Sequence, residues 1–136
     1  MAFVYHRTVR FADTDTAGVV YFARLLSICH EAYEASLAQA GIDQRSFFGG
    51  TEAIVPIVYA EINFYAPVYC GDHLQIHLSP APVNSGVFVC SYEIYKDNTK
   101  VAQAQTKHCC LDAPTRHRRS LTPELRQWLG TDDLQN

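Results

Sequence analysis

The pattern of apolar residues predicts an α+β fold in which one long helix lies against an antiparallel sheet. Helical periodicity is sustained over one long stretch only, residues 20–40. The strand-like segments near the end of the chain are joined by connections too short to hold crossover helices, so neighbours should pair antiparallel. Size gives a third indication. A chain of 136 residues that is 48% hydrophobic can bury a substantial core, and no repeat, linker or low-complexity tract divides it. Residues 1–136 are therefore read as one domain.

Residues 3–11 read as a strand, with Phe3, Tyr5, Val9 and Phe11 on one side and His6, Thr8 and Arg10 on the other. In residues 20–40, Phe22, Leu26, Cys29, Tyr33, Leu37 and Ala40 recur on one helical face, while Arg24, Ser27, Glu31 and Glu34 fall opposite. Gly41 supplies the stop, and Ala23, Ala32, Ala35, Ser36 and Ala38 are small enough to let a sheet approach closely. Residues 43–50 fit a short helical turn. Strand patterns follow at 54–64, 74–78, 87–95 and 101–111, punctuated by Pro67, Gly71 with Asp72, residues 80–86 and residues 96–99. Residues 121–130 close the chain as a helix, with Thr122 as N-cap, Pro123 in the first helical position and Gly130 as the stop.

Composition excludes several functions. A net charge of −3 disfavours a nucleic-acid binder, whose affinity depends on neutralising phosphates. The opening MAFVYHRTVRF lacks the basic and apolar regions of a signal peptide, and no apolar run approaches the ~20 residues of a membrane span, so a cytoplasmic location is expected. Five cysteines, two of them vicinal at Cys109 and Cys110, fit reduced thiols. No metal or cofactor is expected. His73 and His77 would stand ~13 Å apart on a strand, too far to chelate one ion. The helix segment HEAYE lacks the second histidine of a zinc protease, and no CxxC, GxGxxG or Walker loop is present. GxSxG is also absent, which leaves no local support for a serine nucleophile.

The segment FADTDTAGVVYF, residues 11–22, places Asp13, Asp15 and Gly18 in a short polar stretch directly before the long helix. It admits two readings. Asp and Gly are ordinary turn residues and could simply cap the helix. Alternatively, the backbone N–H groups around Val20 to Phe22, at the electropositive start of a helix, could stabilise an oxyanion on an acyl group, with the Asp15 carboxylate just upstream.

Together with ICHEAYE, this segment resembles the D-x-D-x-x-G-[IV]-V-[YW]-[FYH] signature of the hotdog-fold acyl-CoA thioesterases of the 4-hydroxybenzoyl-CoA thioesterase type. The likeness runs over essentially the whole chain, including residues 62–72. Within that family it is most similar to the group that acts on 1,4-dihydroxy-2-naphthoyl-CoA in phylloquinone and menaquinone synthesis. The resemblance implies a central helix wrapped by the sheet, and hydrolysis of an aromatic acyl-CoA. The other readings are 4-hydroxybenzoyl-CoA or broad-range acyl-CoA hydrolysis, or a non-catalytic module that binds acyl-CoA.

The resemblance also implies site residues. Asp15 would be catalytic, either attacking the thioester carbonyl or activating water, and Asp13 structural. The Phe22 N–H would polarise the carbonyl, with Gly18 beside it. The chain departs from relatives that have Pro at Thr16, and from Tol-Pal-associated thioesterases that have His at Phe22. The latter argues against a short aliphatic substrate. Family members are homo-oligomers, dimers or pairs of dimers, with the active site between subunits. The CoA phosphates would then fall to Arg116, Arg118 and Arg119 beside His117, a cluster that is otherwise a solvated basic segment. Tyr21 and Tyr59 are candidates to contact the acyl group, as are Phe47, Phe48 and Phe64. Glu31 and Glu34 are second-choice acids on the helix, and His30, ~12 Å beyond Phe22, is too far along it to reach the same carbonyl.

Overall fold

The computed structural model describes residues 3–130. Seven strands and three helices follow in the order β1 (Phe3–Thr8), α1 (Phe22–Gln39), α2 (Gln44–Phe48), β2 (Ala53–Ile54), β3 (Ile57–Phe64), β4 (His73–Asn84), β5 (Val87–Lys96), β6 (Thr99–Cys109), β7 (Leu111–Asp112) and α3 (Pro123–Leu129). The main sheet is antiparallel with five strands in the order β1-β4-β5-β6-β3; β2 and β7 make a separate two-stranded ribbon.

Two-residue connections join β4 to β5 and β5 to β6, as the short spacings predict, and Asp97 takes a left-handed φ of 56° in the second of them. β3 and β4 are sequence neighbours yet do not pair. The connection at residues 65–72 carries the chain from one side of the β5-β6 pair to the other, a displacement of ~14 Å that eight residues cover easily.

Several predicted boundaries move. β1 stops at Thr8, and Phe11 begins a 3₁₀ turn (Phe11–Asp13) with its ring exposed, so it does not share the inner face. That face holds Phe3, Tyr5 and Arg7. α1 begins two residues late because Val20 is held in a β-bridge to Thr14. Its buried stripe runs through Leu25, Ile28, Cys29, Ala32, Tyr33, Ser36 and Leu37, leaving Phe22 and Ala40 exposed and Leu26 half-buried. The predicted face is therefore rotated from the buried one, toward Phe22 and away from the Leu25–Ile28–Ala32 row.

The strand expected over 54–64 breaks at Val55 and Pro56, which splits β2 from β3. The strand expected over 101–111 likewise ends at Cys109, with Leu111 passing into β7. β4 continues through Pro80 and Pro82, which were expected to interrupt it. The described register with β1 runs from His73 opposite Thr8 to Leu78 opposite Phe3.

The chain forms two compact units. The first comprises the chain up to Tyr33 with Glu61–Ser79 and Ser91–Gln105. Its core is built by Leu25, Ile28 and Tyr33 of α1 and by the alternating inward rows Leu74, Ile76, Leu78 and Tyr92, Ile94. The second comprises Glu34–Ala60, Pro80–Cys90 and the chain from Thr106 on. There Phe88 stacks on buried His108 with ring centroids 4.6 Å apart, and Trp128 of α3 donates from Nε1 to Ser36 Oγ at 2.9 Å. α3 forms as predicted: Thr122 Oγ1 accepts from Leu125 N–H, Pro123 opens the first turn and Gly130 caps it at φ 72°.

Candidate active site

The loop between β1 and α1 closes on itself. Asp15 N–H donates to Val19 O at 2.9 Å and Gly18 N–H to Asp15 O at 3.1 Å, with Thr14 bridging Val20. Gly18 sits at φ 80° with open space where a Cβ would stand, so the turn needs glycine for its backbone angle and not for clearance. The loop is pinned from outside by Val20 N–H on Val68 O at 2.8 Å and by a bridge from Val19 to Tyr69.

Asp13 anchors the base of the loop. It is buried, and its carboxylate accepts from Arg7 Nη1 at 2.5 Å, Arg10 N–H at 2.8 Å and Arg24 Nε at 3.0 Å. Its carbonyl takes the Tyr21 N–H at 3.0 Å. Burial alone would raise the Asp13 pKa; the donors from Arg7, Arg10 and Arg24 overcome that and hold it at about 2. Arg7 also binds Glu31, Nε to Oε1 at 2.9 Å and Nη2 to Oε2 at 3.1 Å, and the Tyr5 hydroxyl donates to Glu31 Oε1 at 2.9 Å. Desolvation raises the Glu31 pKa, yet Arg7 and Tyr5 bring it below its ordinary value. Glu31, weighed above as an acid on the helix, is a brace between β1 and α1.

Asp15 is exposed, and its Oδ1 accepts the Ala17 N–H at 2.8 Å. One oxygen thus forms the turn, and the residue also lines a cleft of about 350 Å³ with Thr14, Tyr21, Ala23, Arg24 and Ser27. Two of the three amides expected to face an oxyanion are already engaged, Val20 by Val68 O and Tyr21 by Asp13 O. Phe22 N–H opens α1, where no intrahelical acceptor exists. The Phe22 ring, tilted 51° to that of Tyr21 with centroids 4.9 Å apart, borders a different, apolar groove of about 390 Å³ with Leu25, Phe64, Tyr65 and Pro67.

This loop, cleft and helix start can be set beside known proteins. The sequence profile of the thioesterase-like superfamily matches residues 9–129, from the end of β1 to the last turn of α3. The chain belongs to the thioesterase-like superfamily. It is similar to the 1,4-dihydroxy-2-naphthoyl-CoA hydrolase of Crocosphaera subtropica, 48% identical over 131 residues that cover 94% of this chain and 96% of that one. It is also similar to the hydrolase of the same name from Thermosynechococcus vestitus, 50% identical over 92% of this chain and 86% of that one. A solved 1,4-dihydroxy-2-naphthoyl-CoA thioesterase from Synechocystis superposes with a TM-score of 0.92 at 36% identity, covering 98% of both chains. The fold of this thioesterase-like chain is accordingly the α+β hotdog.

The cleft of this thioesterase-like protein gathers Asp15 and Tyr21 and does not include the other predicted contacts. Arg116, Arg118 and Arg119 lie in the second unit, after β7. Arg116 N–H closes a turn on Asp112 O at 2.7 Å with φ 65°, Arg118 bridges Leu111, and Arg119 Nε donates to Ser120 O at 3.2 Å. Tyr59 is exposed on β3, and Phe47 and Phe48 form an edge-to-face pair on α2. His30 is half-buried, edge-on to Tyr33 at 5.4 Å. Sequence reasoning missed Arg24 and Ser27 as cleft residues. Periodicity had placed both on the outward face of α1, and that face is the one turned toward the Asp15 loop.

Proposed function

We propose that this chain is an acyl-CoA thioesterase that hydrolyses 1,4-dihydroxy-2-naphthoyl-CoA. The observation that carries the reading is the meeting of the Asp15 carboxylate and the start of α1 at one cleft, in a chain about half identical to hydrolases named for that substrate. Asp15 is the nucleophile. Its carboxylate attacks the thioester carbonyl, and the resulting oxyanion is stabilised by the Phe22 N–H and the positive end of the α1 dipole. Collapse breaks the C–S bond, CoA leaves as a thiolate that takes a proton from water, and a second water cleaves the mixed anhydride to regenerate Asp15.

The Ala17 amide favours attack over general-base catalysis, because it holds the carboxylate in one orientation, and proximity is what a weakly basic anion has to offer. Tyr21 supplies a flat wall for the aromatic ring. Arg116, Arg118 and Arg119 are assigned to the CoA phosphates. We read residues 1–136 as one domain, since α1 and the strands β3 to β6 each run from one unit into the other. We also propose a homo-oligomer with the site at the subunit interface, and a cytoplasmic location suited to five free thiols; no helix among the described residues is long and apolar enough to cross a membrane.

A single turnover in ¹⁸O-water with enzyme in excess tests the mechanism. Attack by Asp15 followed by hydrolysis at the aspartyl carbonyl of the anhydride deposits ¹⁸O in the peptide that contains it, whereas direct water attack puts all the label in the released acid. Because hydrolysis at the acyl carbonyl would also spare the peptide, hydroxylamine is added in a parallel turnover to trap the anhydride. An unlabelled Asp15 peptide, together with no Asp15 hydroxamate and no acyl hydroxamate formed faster than free thioester aminolysis, would contradict nucleophilic attack.

A further inference from the structure

Four charged side chains surround the site loop, and they are not equally satisfied. Arg7 binds both carboxylates, Asp13 through Nη1 and Nη2 and Glu31 through Nε and Nη2. Among the described residues Arg24 reaches Asp13 alone, through Nε at 3.0 Å, and must share that carboxylate with Arg7. Its side chain is 44% exposed and lines the cleft that holds Asp15. A guanidinium carries five N–H donors and no acceptor, so with Nε fixed on Asp13 the Nη1 and Nη2 fork remains to meet a ligand. The anchored Nε also sets the plane of the fork, so little side-chain freedom is lost when it binds.

We infer that Arg24 determines specificity in the Asp15 cleft, its fork selecting acyl groups that carry a hydroxyl oxygen beside the thioester carbonyl. The inference rests on the cleft being the place of hydrolysis proposed above. An obligate donor can accept only a group with lone pairs. A 1-hydroxy-2-naphthoyl group presents such an oxygen ortho to the reacting carbon, whereas a plain aryl or alkyl chain would desolvate the cation and offer nothing in return. The rest of the cleft suits a flat ring, since Ala12, Ala23 and Ser27 are small and Tyr21 is planar.

The test compares kcat/KM for two CoA thioesters, 1-hydroxy-2-naphthoyl-CoA and 2-naphthoyl-CoA, in the wild type, Arg24→Gln and Arg24→Lys. The wild type is expected to prefer the hydroxylated substrate. In Arg24→Gln that preference should fall about 10- to 100-fold, the worth of a hydrogen bond to a charged group. Lysine replaces a planar fork whose orientation is set by a separately anchored Nε with a single point charge, so Arg24→Lys should also lose at least about tenfold in preference while its melting temperature stays near that of the wild type. A ratio unchanged in both variants, even if both rates drop together, would overturn the inference and leave Arg24 as a brace for Asp13. Asp15→Asn separates this from failure of the underlying reading. If that variant loses both substrates while the ratio is unmoved at Arg24, only the inference falls; if it turns both over, the cleft is not the site and the two fall together.

Discussion

At the residue scale, Asp13 and Asp15 stand two positions apart and do opposite things. Asp13 is buried among Arg7, Arg10 N–H and Arg24, and Asp15 is exposed with one oxygen on Ala17 N–H. The motif told these two apart only by likeness to known enzymes; spacing alone allowed either to be the turn residue. What the sequence concealed was the partner set, because Arg7, Arg24 and Glu31 converge from β1 and α1 through tertiary contacts that no local pattern encodes. Removing the Asp13 charge weakens the hydrogen bonds it accepts from Arg7 and Arg24 and leaves Arg7 with Glu31 as its anionic partner, so Asp13→Asn should lower the unfolding free energy by about 2 kcal/mol, measured by urea denaturation at neutral pH. The pH dependence follows in sign. Because the folded carboxyl is depressed to about 2, its stabilisation is fully present above the unfolded value near 4 and is lost as pH falls through about 2. Wild-type stability should therefore decline between about pH 4 and pH 2, and Asp13→Asn should show a shallower decline in that window. Equal slopes would show that Asp13 is not held this way.

At the element scale, the parts that local chemistry specifies were legible. α3 has its capping threonine, its N1 proline and its left-handed glycine, and the β4-β5 and β5-β6 turns follow from connection length. Strand pairing was less so. That β3 joins β6 rather than β4 depends on sheet order, which sequence spacing does not encode, and β4 runs on through two prolines that local chemistry reads as a break. β3 also carries a feature visible only in three dimensions. It is a sheet edge whose Ile57, Val58, Tyr59 and Phe64 are each between 41% and 56% exposed, on an eight-residue strand that an isolated chain leaves unpaired on one side. If this edge is where the proposed oligomer forms, a charge at its centre should break it. Val58→Glu is expected to sediment as the 15.3 kDa chain while the wild type sediments as a dimer or larger, and an unchanged mass for the variant would place the interface elsewhere.

At the scale of the whole molecule, the α+β class and the family were legible because the long helix and the aspartate motif are continuous in sequence. The proposed oligomer and the proposed CoA-binding arginines are not encoded in any continuous stretch of sequence. In the mechanism proposed, activity comes down to one side chain: the Asp13 brace and the Gly18 turn hold the loop that carries the Asp15 carboxylate beside the start of α1. Asp15→Asn tests that most directly, because it keeps the shape and the acceptor for Ala17 N–H while removing the anion. Its kcat on 1,4-dihydroxy-2-naphthoyl-CoA should fall by about 10³-fold or more, with circular dichroism and assembly mass unchanged, since loss of a covalent nucleophile forfeits most of the catalytic advantage. Turnover within tenfold of the wild type by a well-folded Asp15→Asn protein would contradict the account.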